Sequence, residues 1–405
     1  MKILNVAKAA LFGIFLNYYC YYVIVGEFIP MGTVAFFAVA LLCVGVDVLR
    51  QRYLYVGTEI RCWIAYAILA AITSLLVVGN ISFLGALAKF VQRTLIIMMV
   101  AYICEREGSV KFGLQLMAVT AIALAVSVFT VLGDIQLKLD ITSGANLSEN
   151  DTGAIMSFGC FAILFAWGKP GKSALWLSLI KAAGIIACLC VIFVSGSRKS
   201  IIAVVMMGIL LVVLCAKDFL KHQRFRGLFI LLAVVAVAVL FISRELLFYA
   251  EQTNLYARLF GRGAEGADAS DESRMLLVLY ALQDFANHPL FGLGFARYEH
   301  FHGVYSHCTF VEPLACSGLI GLLYLYPYIR ITVKQIQLIL YSPAGSTMRK
   351  KQKEMFVYLC MVLFIAIGIP YMYKDAPCIL LGTLIASQKI SFDELEGTAP
   401  MLGSS

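Results

Sequence analysis

Four of the five histidines, His288, His300, His302 and His307, fall within a stretch of twenty residues, with Arg274 and Arg297 before and among them and Glu312 just after. Imidazole is the side chain best suited to moving a proton near neutral pH, and a guanidinium binds phosphate oxygens through a planar fork. Histidines are also ordinary residents of any wet loop, so their chemistry depends on what else the fold brings to them. A second group is the turn Ser195-Gly196-Ser197-Arg198-Lys199, where small residues would let the Arg198 guanidinium clamp a phosphate. The alternative there is an interfacial anchor whose long side chains reach lipid headgroups. A third group is Lys89 and Arg93, one helical turn apart inside an apolar run. Cations within a membrane are costly and are functional suspects by default, although pairing with an acid or a backbone carbonyl would also explain them. Arg93 is the deeper of the two, and Lys181 in another apolar run can snorkel.

The elements that must position these groups are membrane helices. Of 405 residues, 61% are apolar and 14% charged, and mean hydropathy is +0.88, far from the balance of a water-soluble domain. Apolar runs recur along the chain, most of them long enough to cross a hydrocarbon core of about 30 Å. They predict an all-α polytopic membrane protein of about twelve spans, near 6–25, 28–49, 62–79, 83–104, 112–133, 153–168, 174–194, 200–216, 228–243, 310–329, 355–370 and 376–388. The last two are short, and the final one could be partly re-entrant. Alternating loops then carry twenty against nine Lys and Arg residues, which places both termini in the cytoplasm. The first run, behind Lys2 and Lys8, lacks a small-residue cleavage site and reads as a retained helix.

One extracytoplasmic connection, residues 244–309, is far longer than most others and lies between the ninth and tenth spans. Its middle, Gly261 to Ala269, is small, polar and glycine-rich, and reads as mobile. Ser270-Asp271-Glu272-Ser273-Arg274 reads as a helix start with acids in its first turn. Met275, Leu276, Leu279, Leu282 and Phe285 follow at helical spacing until His288-Pro289, predicting an amphipathic helix near the membrane surface.

Other chemistries find no pattern. The net charge of +8 is spread in short clusters between apolar runs, not gathered in a stripe for nucleic acid. Twelve cysteines, most of them within apolar runs, form no CxxC pair and no metal-ligand spacing. Gly292-Leu293-Gly294 lacks the strand and helix context of a nucleotide loop, and there is no phosphate loop or paired-acid motif. No metal and no cofactor is expected.

Three ordered blocks carry a family likeness. Val194-Ser195-Gly196-Ser197-Arg198-Lys199-Ser200 is like a Ser-x-Ser-Arg turn entering a helix. Ser273-Arg274 leads to Asn287-His288-Pro289-Leu290-Phe291-Gly292-Leu293-Gly294. Ser306-His307-Cys308-Thr309-Phe310 leads to Ser317-Gly318-Leu319-Ile320-Gly321. Over residues 190–325 the chain resembles the O-antigen ligase and polymerase superfamily, most like the Wzy-type polysaccharide polymerases. Cys308 stands where that family often has Asn. The resemblance implies transfer of an oligosaccharide from an undecaprenyl diphosphate donor to an acceptor sugar hydroxyl. The reaction would run without metal and with inversion, on the outer side of the bacterial cytoplasmic membrane. It implies catalytic roles for Arg198 and Arg274 at the diphosphate and for His307 at the acceptor. Arg93, Lys199, Arg297 and His288 are further candidates for binding diphosphate or glycan. Besides membrane lipids, a chain-length regulator and a flippase are candidate partners.

Two rival functions stay open at this point. A ligase of the same superfamily would move finished polymer to lipid A core and shares these motifs. A transporter or flippase of polysaccharide precursors would also suit twelve spans. However, the long connection lies outside after the ninth span, and internal repeats between the halves are not evident.

Overall fold

The computed structural model describes residues 2–21, 30–52, 56–79, 81–131, 149–167, 174–195, 197–221 and 264–398. The ordered elements among them are all helical: α1 (Lys2–Leu16, continued by a π turn Asn17–Tyr21), α2 (Pro30–Gln51), α3 (Thr58–Val78), α4 (Leu84–Arg106), α5 (Lys111–Val131), α6 (Glu149–Phe165), α7 (Ala174–Ser195) and α8 (Arg198–Lys221). Then come α9 (Ala264–Asn287), α10 (Tyr298–His302), α11 (Glu312–Ser317), a 3-10 turn (Gly318–Ile320), α12 (Gly321–Tyr341), α13 (Thr347–Ala366), a second 3-10 turn (Tyr371–Tyr373) and α14 (Ala376–Thr398). The ninth expected span and residues 244–263 of the long connection lie outside the described residues.

Among the described residues six helical stretches are long and apolar enough to cross a membrane: Gly32–Gln51, Thr58–Val78, Leu84–Arg106, Lys111–Phe129, Trp176–Phe193 and Glu312–Tyr341. Ile3–Tyr19 and Asn150–Phe165 are shorter apolar helices. The expected boundaries move in an instructive way at the C-terminal end. α13 starts eight residues before the expected span, because Arg349, Lys350, Lys351, Lys353 and Glu354 are helical but too polar to register as membrane-spanning. α14 is one continuous helix that runs ten residues past the expected end of the last span. Nearly every residue from Ala376 to Gln388 is buried, against α4, α5, α12 and α13.

Small residues let these helices approach, as they do where packing rather than water drives association. A side chain added at Gly382 would press on the Ile97 carbonyl of α4, and one at Gly113 on Thr383. Gly159 of α6 faces Ala121 of α5 in the same way. At one end of the bundle α12, α13 and α14 are stitched by buried amides. Gln335 donates to the Gln352 side chain (2.7 Å), Gln388 donates to Gln335 (3.1 Å), and Gln352 donates to Ser391 (2.6 Å).

α9 begins at Ala264, so the glycine-rich stretch expected to be mobile is helical from there on. Most of its expected apolar residues do not pack on the protein; two others do. Leu277 and Ala281 pack with Leu293, Tyr298, Ala315 and Cys316, whereas Met275, Leu276, Leu279 and Leu282 point outward. An apolar stripe left facing out suits a helix resting on lipid.

Candidate functional site

Two of the three sequence blocks are halves of one knot. The turn after α9 lies against the break between α11 and α12: the Leu293 N–H donates to the Ala315 carbonyl (3.0 Å), Gly294 N–H to the Cys316 carbonyl (2.9 Å) and Leu319 N–H to the Pro289 carbonyl (2.7 Å). Gly292 and Gly318 have φ of +65° and +59°, and a Cβ on either would lie about 2.5 Å from backbone of the opposing strand of chain. Only glycine fits such an approach. These glycines therefore serve chain packing, and they bind α9 to the start of α12. The knot is seated on α3 by Phe295 N–H donating to Ser74 (2.7 Å) and by the Tyr66–Ser317 hydroxyl pair (3.2 Å).

His307 rises from the segment between α10 and α11. It is one of few non-glycine residues in the left-handed region, with φ +58°, a conformation that costs about 1–2 kcal/mol unless neighbours enforce it. Its neighbours do enforce it. Ser306 on one side is tied to Glu312 through both its N–H (2.8 Å) and its hydroxyl (2.7 Å). On the other side Thr309 N–H donates to Ala366 (2.9 Å), and its hydroxyl accepts from Tyr371 N–H (3.0 Å). The Tyr305 ring lies 4.4 Å from the imidazole, centroid to centroid. Partial burial pushes the His307 pKa down to about 4, and Arg274, Lys199 and Lys374 add to that, with Asp151 opposing. At neutral pH the ring is thus uncharged and able to accept a proton.

Three cations from three parts of the chain act on this imidazole. Arg274 lines an open cavity of about 440 Å³ together with Leu276, Leu277, Tyr280, Val304 and His307. Lys199 enters α8 from the short turn that sits on α6: Ser197 bonds Ser200 (2.8 Å), Ser157 donates to the Ser200 carbonyl (3.1 Å), and Gly153 lets both serines come close. Its ammonium rests over Gly368, where any side chain would collide with it. Lys374 donates to Asp151 (2.6 Å) and sits 5.7 Å from the centre of the Tyr305 ring. A smaller cavity of about 60 Å³ adjoins it, walled by Tyr18, Tyr19, Asp151, Tyr371, Tyr373 and Asp375 among others.

The remaining expected residues take different places. Arg198 is half-buried at the first position of α8, beside Lys199. Arg93 donates to Asp375 (2.7 Å) and to the Met372 carbonyl (2.9 Å), so it braces the segment that presents Lys374. Lys89, one turn earlier, is exposed. His288 is exposed at the end of α9, and Arg297 lies over the Phe301 ring at 5.1 Å. Neither lines the cavity around His307. His300 is exposed, and His302 pairs with Asp284 (2.7 Å) between the rings of Tyr280 and Tyr298. His302 thereby supports Tyr280, which lines the cavity.

Lys374, Asp151 and Tyr305 escaped sequence reasoning. A signal existed for Lys374: it is the single cation in the expected last outer connection. Asp151 opens a span on that same expected side. Among the described residues no group of three or more His, Cys, Asp or Glu side chains is placed to hold a metal ion.

No curated protein matches the chain. A family model does: residues 183–326 match the one described as O-Antigen ligase, Wzy_C, a stretch that holds Lys199, Arg274, His307 and the glycine knot. Proteins of that family are membrane enzymes of the ligase and polymerase type. The match supports placing this membrane protein in the O-antigen ligase/polymerase superfamily.

Proposed function

We propose that the protein is a polysaccharide polymerase that joins undecaprenyl-diphosphate-linked oligosaccharide units at the outer face of the bacterial cytoplasmic membrane. The observation that carries this is that Arg274 and His307 line one cavity open to the outside of the fold, with Lys199 and Lys374 adding positive charge nearby. In this reaction an acceptor hydroxyl attacks the anomeric carbon of the donor sugar while the bond from that carbon to the diphosphate oxygen breaks. His307 takes the hydroxyl proton. The bonding pair leaves on the diphosphate, whose growing charge is met by the three cations. Charge-directed donors of this kind are typically worth 10²–10³ each in rate. One displacement inverts the anomeric centre. Leu276, Leu277 and Val304 give the cavity an apolar wall suited to the prenyl chain.

Twelve spans with both termini cytoplasmic complete the proposal, and the outward apolar stripe of α9 would rest on the outer leaflet. Reporter fusions at the loops test that topology. Glycan profiling of a deletion strain tests the function: loss of the polymer ladder with retention of single repeat units supports a polymerase. The family description favours a second reading, a ligase that attaches finished polymer. That reading predicts polymer accumulating on undecaprenyl diphosphate instead. Unchanged glycans would overturn both.

A further inference from the structure

We propose that Glu312 is a positioning residue for His307, acting through Ser306 as a clasp that holds the imidazole in its left-handed seat over the cavity. This rests on the proposed role of His307 as base. Glu312 and Ser306 are both fully buried. A single carboxylate oxygen of Glu312, Oε2, accepts from both the N–H and the hydroxyl of Ser306, at 2.8 and 2.7 Å. The same hydroxyl oxygen accepts from Cys308 N–H at 3.3 Å, so the clasp spans the residues on either side of His307. Between these two anchored neighbours His307 has φ +58°, and its ring is only partly buried. The clasp fixes the backbone from which the imidazole projects, and the Tyr305 ring lies beside it. The Tyr373 hydroxyl lies against the same carboxyl group and adds a third polar contact to it.

Burial of the Glu312 carboxyl is costly in itself, so the group persists where something else requires it. Glu312 opens α11, the helix that the glycine knot ties to α9. It therefore connects the element presenting Arg274 to the residue that presents the base. Small displacements of a catalytic group lower turnover steeply, by roughly 100-fold for about 1 Å.

The test compares Glu312→Ala, Glu312→Gln and Ser306→Ala in protein reconstituted into lipid nanodiscs. Turnover is followed with lipid-linked repeat units extracted from the deletion strain. The environment of His307 is followed separately, by mass spectrometry of its reaction with diethyl pyrocarbonate, which modifies the uncharged ring, across pH. Arg274, Lys199, Lys374, Asp151 and Tyr305 face the ring and stay intact in all three variants. Glu312→Ala should lower kcat roughly 100-fold with KM nearly unchanged. It should also move the midpoint of His307 labelling up from about 4 towards the ordinary histidine value. Glu312→Gln, whose amide oxygen can accept both Ser306 bonds, should restore most turnover and the low midpoint. Ser306→Ala should fall between them and keeps the test open if Glu312→Ala does not fold. Unchanged labelling and turnover in Glu312→Ala would overturn the clasp, as would a Glu312→Gln variant as impaired as Glu312→Ala. A fully active His307→Ala variant would instead remove the base role, while a shifted labelling midpoint in Glu312→Ala would still establish the clasp.

Discussion

Replacing Lys374 with methionine should make His307 easier to protonate. The Lys374 ammonium is 5.7 Å from the Tyr305 ring centre, and that ring is 4.4 Å from the imidazole, so the cation lies within about 10 Å of the base. Two unit charges at about 10 Å interact by about 1.7 kcal/mol at an effective dielectric near 20, which is about one pKa unit. Removing the cation also leaves Asp151 without the partner it holds at 2.6 Å, and that carboxylate favours protonation of His307. Both effects have the same sign. The acid limb of kcat/KM, which reports the free enzyme, should move from near 4 to about 5 or above in Lys374→Met. Lys374→Arg should leave it in place. The assay is transfer from lipid-linked repeat units in nanodiscs between pH 4 and pH 8, with kcat fitted separately. Donor diphosphate brings compensating negative charge, so the limb of kcat should lie above that of kcat/KM in the native protein. An acid limb unmoved by Lys374→Met, or moved downward, would refute the electrostatic account of this site.

Further outcomes follow from the same geometry. Arg274→Ala should reduce polymer formation by about 10²–10³ on glycan gels while protein level holds. Arg93→Leu strands Asp375 and should destabilise the fold by about 3–5 kcal/mol, seen as a lower detergent Tm, whereas Arg93→Leu combined with Asp375→Leu should recover much of it. Gly292→Ala should lower Tm strongly, because the residue has positive φ and its Cβ would meet the backbone of Ser317. Because the folded-state pKa of His307 is depressed, its contribution to stability is complete above about 6.5 and declines as pH falls towards about 4. His307→Gln should remove that part of the acid sensitivity, measured as Tm against pH.

How much of this was legible in the residues depends on the distance over which each signal acts. The helices were legible wherever apolar runs were long, as in α2 to α5. Their polar extensions were not, because hydropathy reports only the part that matches lipid, as the charged first turns of α13 show. Arg274, His307 and Lys199 stood out by residue type and local company. Lys374 and Asp151 did not, since each is a single charge and they meet across 223 positions of sequence. The two glycine motifs were visible as strings, but that one packs against the other is a property of the folded backbone. The left-handed seat of His307 has no local signature either, for Tyr305-Ser306-His307-Cys308 contains neither glycine nor proline. Which residues of α9 pack on the protein follows from tertiary contact. Leu277 and Ala281 are buried because the knot brings α11 beneath them, which helical periodicity alone does not decide.

The brace between Arg93 and Asp375, and the pair formed by Asp151 with Lys374, have a consequence for the order in which this protein can be made. Arg93 and Asp151 are synthesised with the earlier helices, while their counter-charges arrive only with the last connection before α14. Until then Arg93, inside an apolar run, lacks the carboxylate that pairs with it, a state that membranes disfavour. A nascent polypeptide stalled after α13 would carry most of its apolar helices, yet leave Arg93 without the carboxylate that later braces it.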